Sequence, residues 1–229
     1  MRDISGRGIK ALGIHLQRDL DEVTRSLLEV AAMVEDMIAK SLRALRERSV
    51  DLAHEVQRQD RVIDAREIEV EEECLKILAL HSPVASDLRM VVTWLKVNND
   101  LERAGDLARN LAERAESLAV AEPVEIPREI WTMAERIPKM LRAALDAVVG
   151  GDTELARSVI AEDEVVDRSH EAMYSVVAAM IKEEPASAAV CIQFLSISRY
   201  LERMADLATN IAEDVVFLVD GDVVRHQAS

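Results

Sequence analysis

The sequence is short of everything that punctuates a chain. Seven glycines and five prolines among 229 residues leave too few turns for the frequent reversals of a β-sandwich or barrel. With two tryptophans, two tyrosines and two phenylalanines, any core must be aliphatic. Cys74 and Cys191 are the only cysteines. They stand far apart in apolar stretches with no CxxC or Cys/His spacing, and are read as buried reduced thiols rather than a disulfide. Basic residues are scarce too: 28 Lys and Arg face 43 Asp and Glu, a net charge of −15. That balance argues against a nucleic-acid partner, which needs a basic footprint, and against adsorption to an anionic membrane. The longest apolar run, Val176 to Ile181, has six residues, where a spanning helix needs about 20. Residues 1–13 carry scattered charge and lack the apolar stretch of a signal peptide. A soluble, cytoplasmic protein is expected.

What is abundant is Ala, Leu, Val, Glu and Arg, which suits long helices. Residues 1–13, with Gly6, Gly8 and Gly13, are read as a loose lead-in. From there to Arg48, the residues Leu20, Val23, Leu27, Val30, Val34, Met37, Ser41 and Leu45 step by three and four, the stripe of an amphipathic helix. A second helix is capped by Ser49 or Asp51 and runs to about Leu80. Ser82 is expected to cap the third, with Pro83 in its first turn, and that helix reaches about Ala119. Pro123 and Pro127 mark the clearest break. Helix four then runs to Gly150-Gly151, with Pro138 expected to kink it. Helix five starts from Asp152 or Thr153 and reaches about Lys182; helix six follows Glu184-Pro185 to about Val219. The fold class is therefore all-α, a tandem repeat of two antiparallel three-helix bundles over residues 1–121 and 122–229.

The repeat is explicit. Leu101-Glu-Arg-Ala-Gly-Asp-Leu-Ala-Arg-Asn-Leu-Ala-Glu113 returns as Leu201-Glu-Arg-Met-Ala-Asp-Leu-Ala-Thr-Asn-Ile-Ala-Glu213, with nine of thirteen positions identical. Glu102, Asp106 and Asn110 fall near one helix face, as do Glu202, Asp206 and Asn210. Upstream, Asp60 and Asp64 are matched by Asp163 and Asp167, and Glu67 by His170. This offset is 103 rather than 100, placing a three-residue deletion between helices five and six. Asp64 stands 18 residues before Ser82 and Glu102 stands 20 after it, which puts them at similar heights on antiparallel helices. In the second half, Asp167 and Glu202 stand 17 before and 18 after Glu184. Two carboxylates 4 Å apart repel by about 1 kcal/mol in water and about 4 at an effective dielectric of 20. A bound cation reverses that sign. All-oxygen donors with one imidazole favour Mg, Mn, Fe or Ca over a thiolate zinc site.

Spacing leaves three readings open: metal binding, a solvated face paired with arginines, and catalysis. Arg109 can neutralise Asp106, but its counterpart is Thr209; Arg103 and Arg203 are duplicated. Asn110 and Asn210 suit a bond across the bundle as well as a metal. A ferritin-like di-metal carboxylate oxidase needs Glu-x-x-His on two helices. Asp51/His54 and Asp167/His170 have that spacing with Asp for Glu, at non-equivalent places in the repeat. No phosphate-binding glycine loop or nucleophile elbow stands out. His15, His81 and His226 are read as lone surface or loop residues, and Trp94 and Trp131 as packed in the bundles.

Several of these segments together resemble the PhoU family. They are Asp60-x-x-Ile63-Asp64, Pro83-x-Ala85-x-Asp87-Leu88-Arg89, Asp100-Leu-Glu-Arg103-x-Gly105-Asp106 and Leu201-Glu-Arg203-x-x-Asp206. The closing Glu213-Asp-Val-Val-Phe217, with Gly221 and Arg225-His226, fits the same pattern. The second half departs from it where Pro185-Ala-Ser-Ala-Ala189 replaces the Asp-Leu-Arg. The resemblance implies a non-enzymatic, cytoplasmic accessory of a phosphate ABC transporter that represses the phosphate-starvation response. Such a protein acts between the transporter's ATPase subunit and a sensor histidine kinase, and reaches the membrane only through partners. A homodimer is expected. Some family members bind iron or other metal clusters through repeated Glu/Asp-x-x-x-Asp motifs. Here those motifs are Asp60/Asp64, Glu102/Asp106, Asp163/Asp167 and Glu202/Asp206. Iron is the first expectation, with Mn, Mg, Zn or Ca as alternatives. A ferritin-like oxidase and a ligand-free helical scaffold remain the competing readings.

Overall fold

The computed structural model describes residues 5–220, with side chains from residue 15. The described residues form six helices: α1 (Ser5–Glu47), α2 (Val50–His81), α3 (Ala85–Val120), α4 (Arg128–Gly150), α5 (Thr153–Glu183) and α6 (Ala188–Asp220). A single 3-10 turn, Pro185–Ser187, precedes α6. No strand occurs among the described residues. None of the described helices is long and apolar enough to cross a membrane.

The caps explain most of the boundaries. The Ser49 hydroxyl accepts from Leu52 N at 3.3 Å and opens α2. The Asp152 carboxylate accepts from Leu155 N at 3.0 Å and opens α5. Gly151, in the left-handed region at φ 60°, closes α4. Two expectations are corrected. Residues from Ser5 onward are helical rather than a loose lead-in, because Ile9, Leu12, Leu16 and Leu20 carry the same three- and four-residue stepping backwards. Ser82 does not cap α3: it closes α2 at φ 45°, and Val84, which has no side-chain cap bond, stands before α3. Pro83 disfavours the right-handed helical conformation at Ser82, so helix two must end there. Helix α4 continues unbroken through Pro138.

Helices α1, α2 and α3 form one antiparallel bundle and α4, α5 and α6 the other. Their apolar stripes merge into one continuous core that includes Val34, Ile63, Leu101, Ile137, Phe194 and Leu201, all fully buried. The two bundles join chiefly through α3 and α6. These run antiparallel, since Lys96 reaches Asp214 at 2.8 Å while the charge of Arg103 acts on Asp206. Combined with the 100-residue repeat, this pairing relates the halves by an approximate two-fold near Gly105 and Ala205. Arg142 on α4 clamps Glu35 on α1 through bonds of 3.1 and 2.7 Å. Arg48 donates to the carbonyls of Ala119 and Ala121 at 3.3 and 2.6 Å, tying the α1–α2 turn to the end of α3.

Candidate cation sites in two acidic clusters

In the first repeat, α2 supplies Asp60, Asp64 and Glu67, and α3 supplies Glu102 and Asp106. Asp60 is buried, Glu67, Glu102 and Asp106 are partly buried, and Asp64 is exposed. Burial raises the Glu102 carboxyl above its ordinary range, and the charges of Asp106, Asp64, Glu67 and Asp60 add to it. Burial, then Asp60 and Asp106, raise Asp64 in the same way, against the pull of Arg109. Glu67 is raised by burial, Glu71 and Asp64. The antiparallel pairing of α2 and α3 has thus gathered five carboxylates from positions far apart in sequence.

This cluster already holds a cation. One Arg109 nitrogen bonds Asp60 at 2.5 Å and another reaches Asp106 at 2.9 Å. Toward the end of α3 the same face is closed by a polar network. Glu116 accepts from Gln57 at 2.8 Å and meets the His54 ring at 3.0 Å. His54 is therefore engaged away from the acids, which removes one of the two histidines a ferritin-like site would use. Asn110 is half-buried one turn beyond Asp106. The asparagine that crosses this bundle is instead Asn98, donating to the Glu67 carbonyl at 2.8 Å.

The second repeat keeps four of the five acids, with His170 in the place of Glu67, and lacks the arginine. Asp163 and Asp167 stand on α5, Glu202 and Asp206 on α6, and Thr209 takes the place of Arg109. Thr209 spends its hydroxyl on the Ala205 carbonyl at 3.1 Å. Burial, followed by the charges of Asp167, Asp206, Glu202 and Glu213, pushes Asp163 up to about 7. One oxygen of Asp163 is buried with no hydrogen-bond partner. Burial and Asp206 raise Glu202, with His170 and Arg199 pulling the other way. Burial and Asp167 raise Asp206 against Arg203 and Arg103. His170 Nδ1 lies 3.0 Å from the Ser198 hydroxyl, which itself donates to Leu195 O at 3.0 Å. The ring therefore donates from Nδ1, and Nε2 is the nitrogen that would meet a cation once unprotonated.

A groove of about 1360 Å³ opens beside this second cluster, between α5 and the α3–α6 seam, with Asp163, Asp167, Asp206 and Asn210 along its wall. Its apolar floor includes Leu107, Ile160 and Leu207. Sequence reading missed two features here. Lys96 bonds buried Asp214 at 2.8 Å and sits 5.2 Å from the Phe217 ring centroid, joining the bundles. His81, expected as a lone loop residue, is largely buried and bonds Asp19 at 2.8 Å, holding the end of α2 to α1. His226 and Gly221 lie outside the described residues. Cys74 and Cys191 are free and buried, and burial pushes the Cys74 thiol up to about 12.

Among the described residues, no three His, Cys, Asp or Glu side chains stand close enough to hold a metal ion as they are placed. The two clusters differ in what would have to move. In the first, a metal must displace the Arg109 guanidinium from Asp60 and Asp106. In the second, the orphaned Asp163 oxygen, three further carboxylates and the free nitrogen of His170 suit a hard or borderline cation once the carboxylates close in.

Residues 27–115 and 130–215 each match the model of the PhoU domain. The chain is 34% identical over 212 residues to a phosphate-specific transport system accessory protein PhoU homolog of Aquifex aeolicus, covering 93% of this chain and 96% of that one. Its fold is similar to the crystal structure of PhoU from Pseudomonas aeruginosa, with TM-score 0.87 and 34% identity over 90% of this chain and 99% of that chain. It is also similar to the phosphate transport system regulatory protein PhoU from Streptococcus pneumoniae. There the TM-score is 0.84 and the identity 28%, over 91% of this chain and 99% of that chain.

Proposed function

The chain belongs to the PhoU family, and from that premise we propose that it is a non-enzymatic accessory and regulator of phosphate uptake. The observation that carries this reading is the pair of domain matches, together with a like fold over nearly the full length of phosphate-transport relatives. In this role the chain is a cytoplasmic adaptor, a homodimer that meets the ATPase subunit of a phosphate ABC transporter and a sensor histidine kinase. It reaches the membrane only through them. The acid excess of the chain suits basic faces on such partners and speaks against nucleic acid.

The acidic clusters are the adaptor's cation sites in this reading. Asp163, Asp167, His170, Glu202, Asp206 and Asn210 form the one with less to displace, because among the described residues no arginine or lysine forms an ion pair with these carboxylates as Arg109 does with Asp60 and Asp106. A bound Fe, Mn or related ion would supply the positive charge that draws the α5 and α6 carboxylates together and stiffens that helix pair. Asp60, Asp64, Glu67, Glu102, Asp106 and Asn110 would take a metal only with Arg109 turned out. The ligand-free scaffold is favoured by one observation, the absence of a ready three-residue metal group among the described residues; it expects a melting temperature indifferent to chelator.

The test is a strain lacking this chain. Starvation genes should be expressed in high phosphate and silenced again on complementation, and the tagged chain should retain the transporter ATPase subunit. Unchanged expression together with no retention of ATPase or kinase would overturn the regulatory reading.

A further inference from the structure

The two repeats place the same carboxylates against different neighbours, and the difference has the shape of a missing side chain. In the first repeat the Arg109 guanidinium lies between Asp60 and Asp106, and His54, Gln57 and Glu116 fill the space beyond it. The equivalents of Asp60, Asp106 and Arg109 are Asp163, Asp206 and Thr209, and all three line the inter-bundle groove. The equivalents of His54, Gln57 and Glu116 are Arg157, Ile160 and Val216. Arg157 also lines the groove but pairs with Asp220 at 3.4 Å, while Ile160 contributes to the floor and Val216 is buried. The result is an apolar trough ending at carboxylates, with one buried Asp163 oxygen unpartnered.

The cations along the groove are largely committed elsewhere. Lys96 bonds Asp214 at 2.8 Å and Arg103 bonds Asp100 at 3.1 Å. Arg203 acts on Asp206 by charge alone and forms no ion pair among the described residues. Asp163, Asp167 and Asp206 likewise form no ion pair there. Apolar floor, acidic wall and an arginine-shaped gap together fit a long cationic side chain whose stem packs and whose head is paired.

We propose that the groove between α5 and the α3–α6 seam receives a basic amphipathic segment of a protein partner. An arginine of that segment takes, between Asp163 and Asp206, the place that Arg109 holds in the first repeat. Its aliphatic stem lies over Ile160 and Leu207, and apolar residues one helical turn away cover Leu107. Because the same carboxylates are the proposed metal ligands, the segment and a metal ion exclude each other. The identity of the partner rests on the adaptor reading; the site itself does not.

The experiment uses the full chain and a short fluorescein-labelled peptide with Arg and Leu at i, i+3 and i+4 spacing, followed by anisotropy in EDTA. Its Glu/Leu counterpart is the control. Wild type should bind the Arg peptide and not the Glu peptide. Thr209→Arg, which supplies the missing guanidinium from within, should weaken binding at least about tenfold while retaining its helical content and melting cooperatively. Asp206→Asn should do the same. Glu71→Gln with Glu72→Gln, on the outer face of α2, changes more charge and should leave binding unchanged. Once the EDTA is exchanged out, manganese should compete with the peptide in wild type. No peptide binding, or equal loss in the α2 control and in Thr209→Arg, overturns the proposal. Manganese bound at Asp206 without peptide binding overturns it while leaving the metal reading intact. Peptide binding that manganese does not affect overturns the mutual exclusion.

Discussion

Asp163 gives the sharpest prediction in metal-free protein. Its carboxyl stands at about 7 in the folded chain against an ordinary value of 3.8, because it is part-buried among Asp167, Asp206, Glu202 and Glu213. A rise of that size is worth about 4 kcal/mol for a carboxyl sealed from water. Asp163 is only partly sealed, and solvent screening brings the cost to about 2 kcal/mol. The sign follows from proton counting. Between about 4 and about 7 the folded chain keeps a proton that the unfolded chain has released, so stability falls as pH rises. Below about pH 4 the carboxyl is protonated in both states and the cost vanishes; above about 7 it is fully present. Asp163→Asn removes the charge and keeps the shape. The variant should be more stable than wild type by about 2 kcal/mol at pH 8, or about 4–8 °C in melting temperature for a chain of this size. The advantage should shrink steadily on acidification. Urea melts of both proteins in EDTA across this pH range measure it. A variant less stable than wild type at pH 8, or a difference that does not move with pH, would refute the reasoning.

Three further outcomes are expected. Arg109→Thr makes the first repeat resemble the second; it strips buried Asp60 of its guanidinium and should cost about 3 kcal/mol in chelated protein by urea melt, with manganese restoring part of the loss. Gly105→Ala should stabilise by about 0.5–1 kcal/mol in a thermal melt, since the new Cβ meets Ile63 and Val34 at an ordinary 3.7 to 3.9 Å and the repeat already has Ala205. Lys96→Ala removes both the bond to buried Asp214 and the contact with the Phe217 ring; it should cost about 2 kcal/mol and speed hydrogen exchange along the α3–α6 seam.

The elements that could be read in the sequence are those set by neighbours along the chain. Ser49 and Asp152 cap their helices because the side chain reaches a backbone N–H three residues on, a contact visible in any sequence. The stripes of α1 and α3 are likewise local. Ser82 shows the limit: a good cap residue followed by proline looks like a helix start, yet here the connector Ser82-Pro83-Val84 closes α2. The second repeat has no matching connector, and Pro185–Ser187 stands where the first turn of α3 would be, which locates the three-residue deletion in the turn. The acids could be paired by counting from the turns. What counting could not give was the reach of Arg109 across 49 residues to Asp60, although the Arg109-to-Thr209 difference was already visible. The α3–α6 seam was beyond reach, because Lys96 and Asp214 lie 118 residues apart and no periodicity connects them. His81 was misread for the same reason, since its partner Asp19 is 62 residues upstream.

The central claim is that one acidic cluster carries its own cation and the other waits for one. Calorimetric titration of manganese into chelator-treated wild type, Arg109→Thr and Thr209→Arg tests it most directly. Wild type should show binding confined to the second cluster, Arg109→Thr should gain a second class of site, and Thr209→Arg should lose the first. Equal binding in all three proteins would contradict the account.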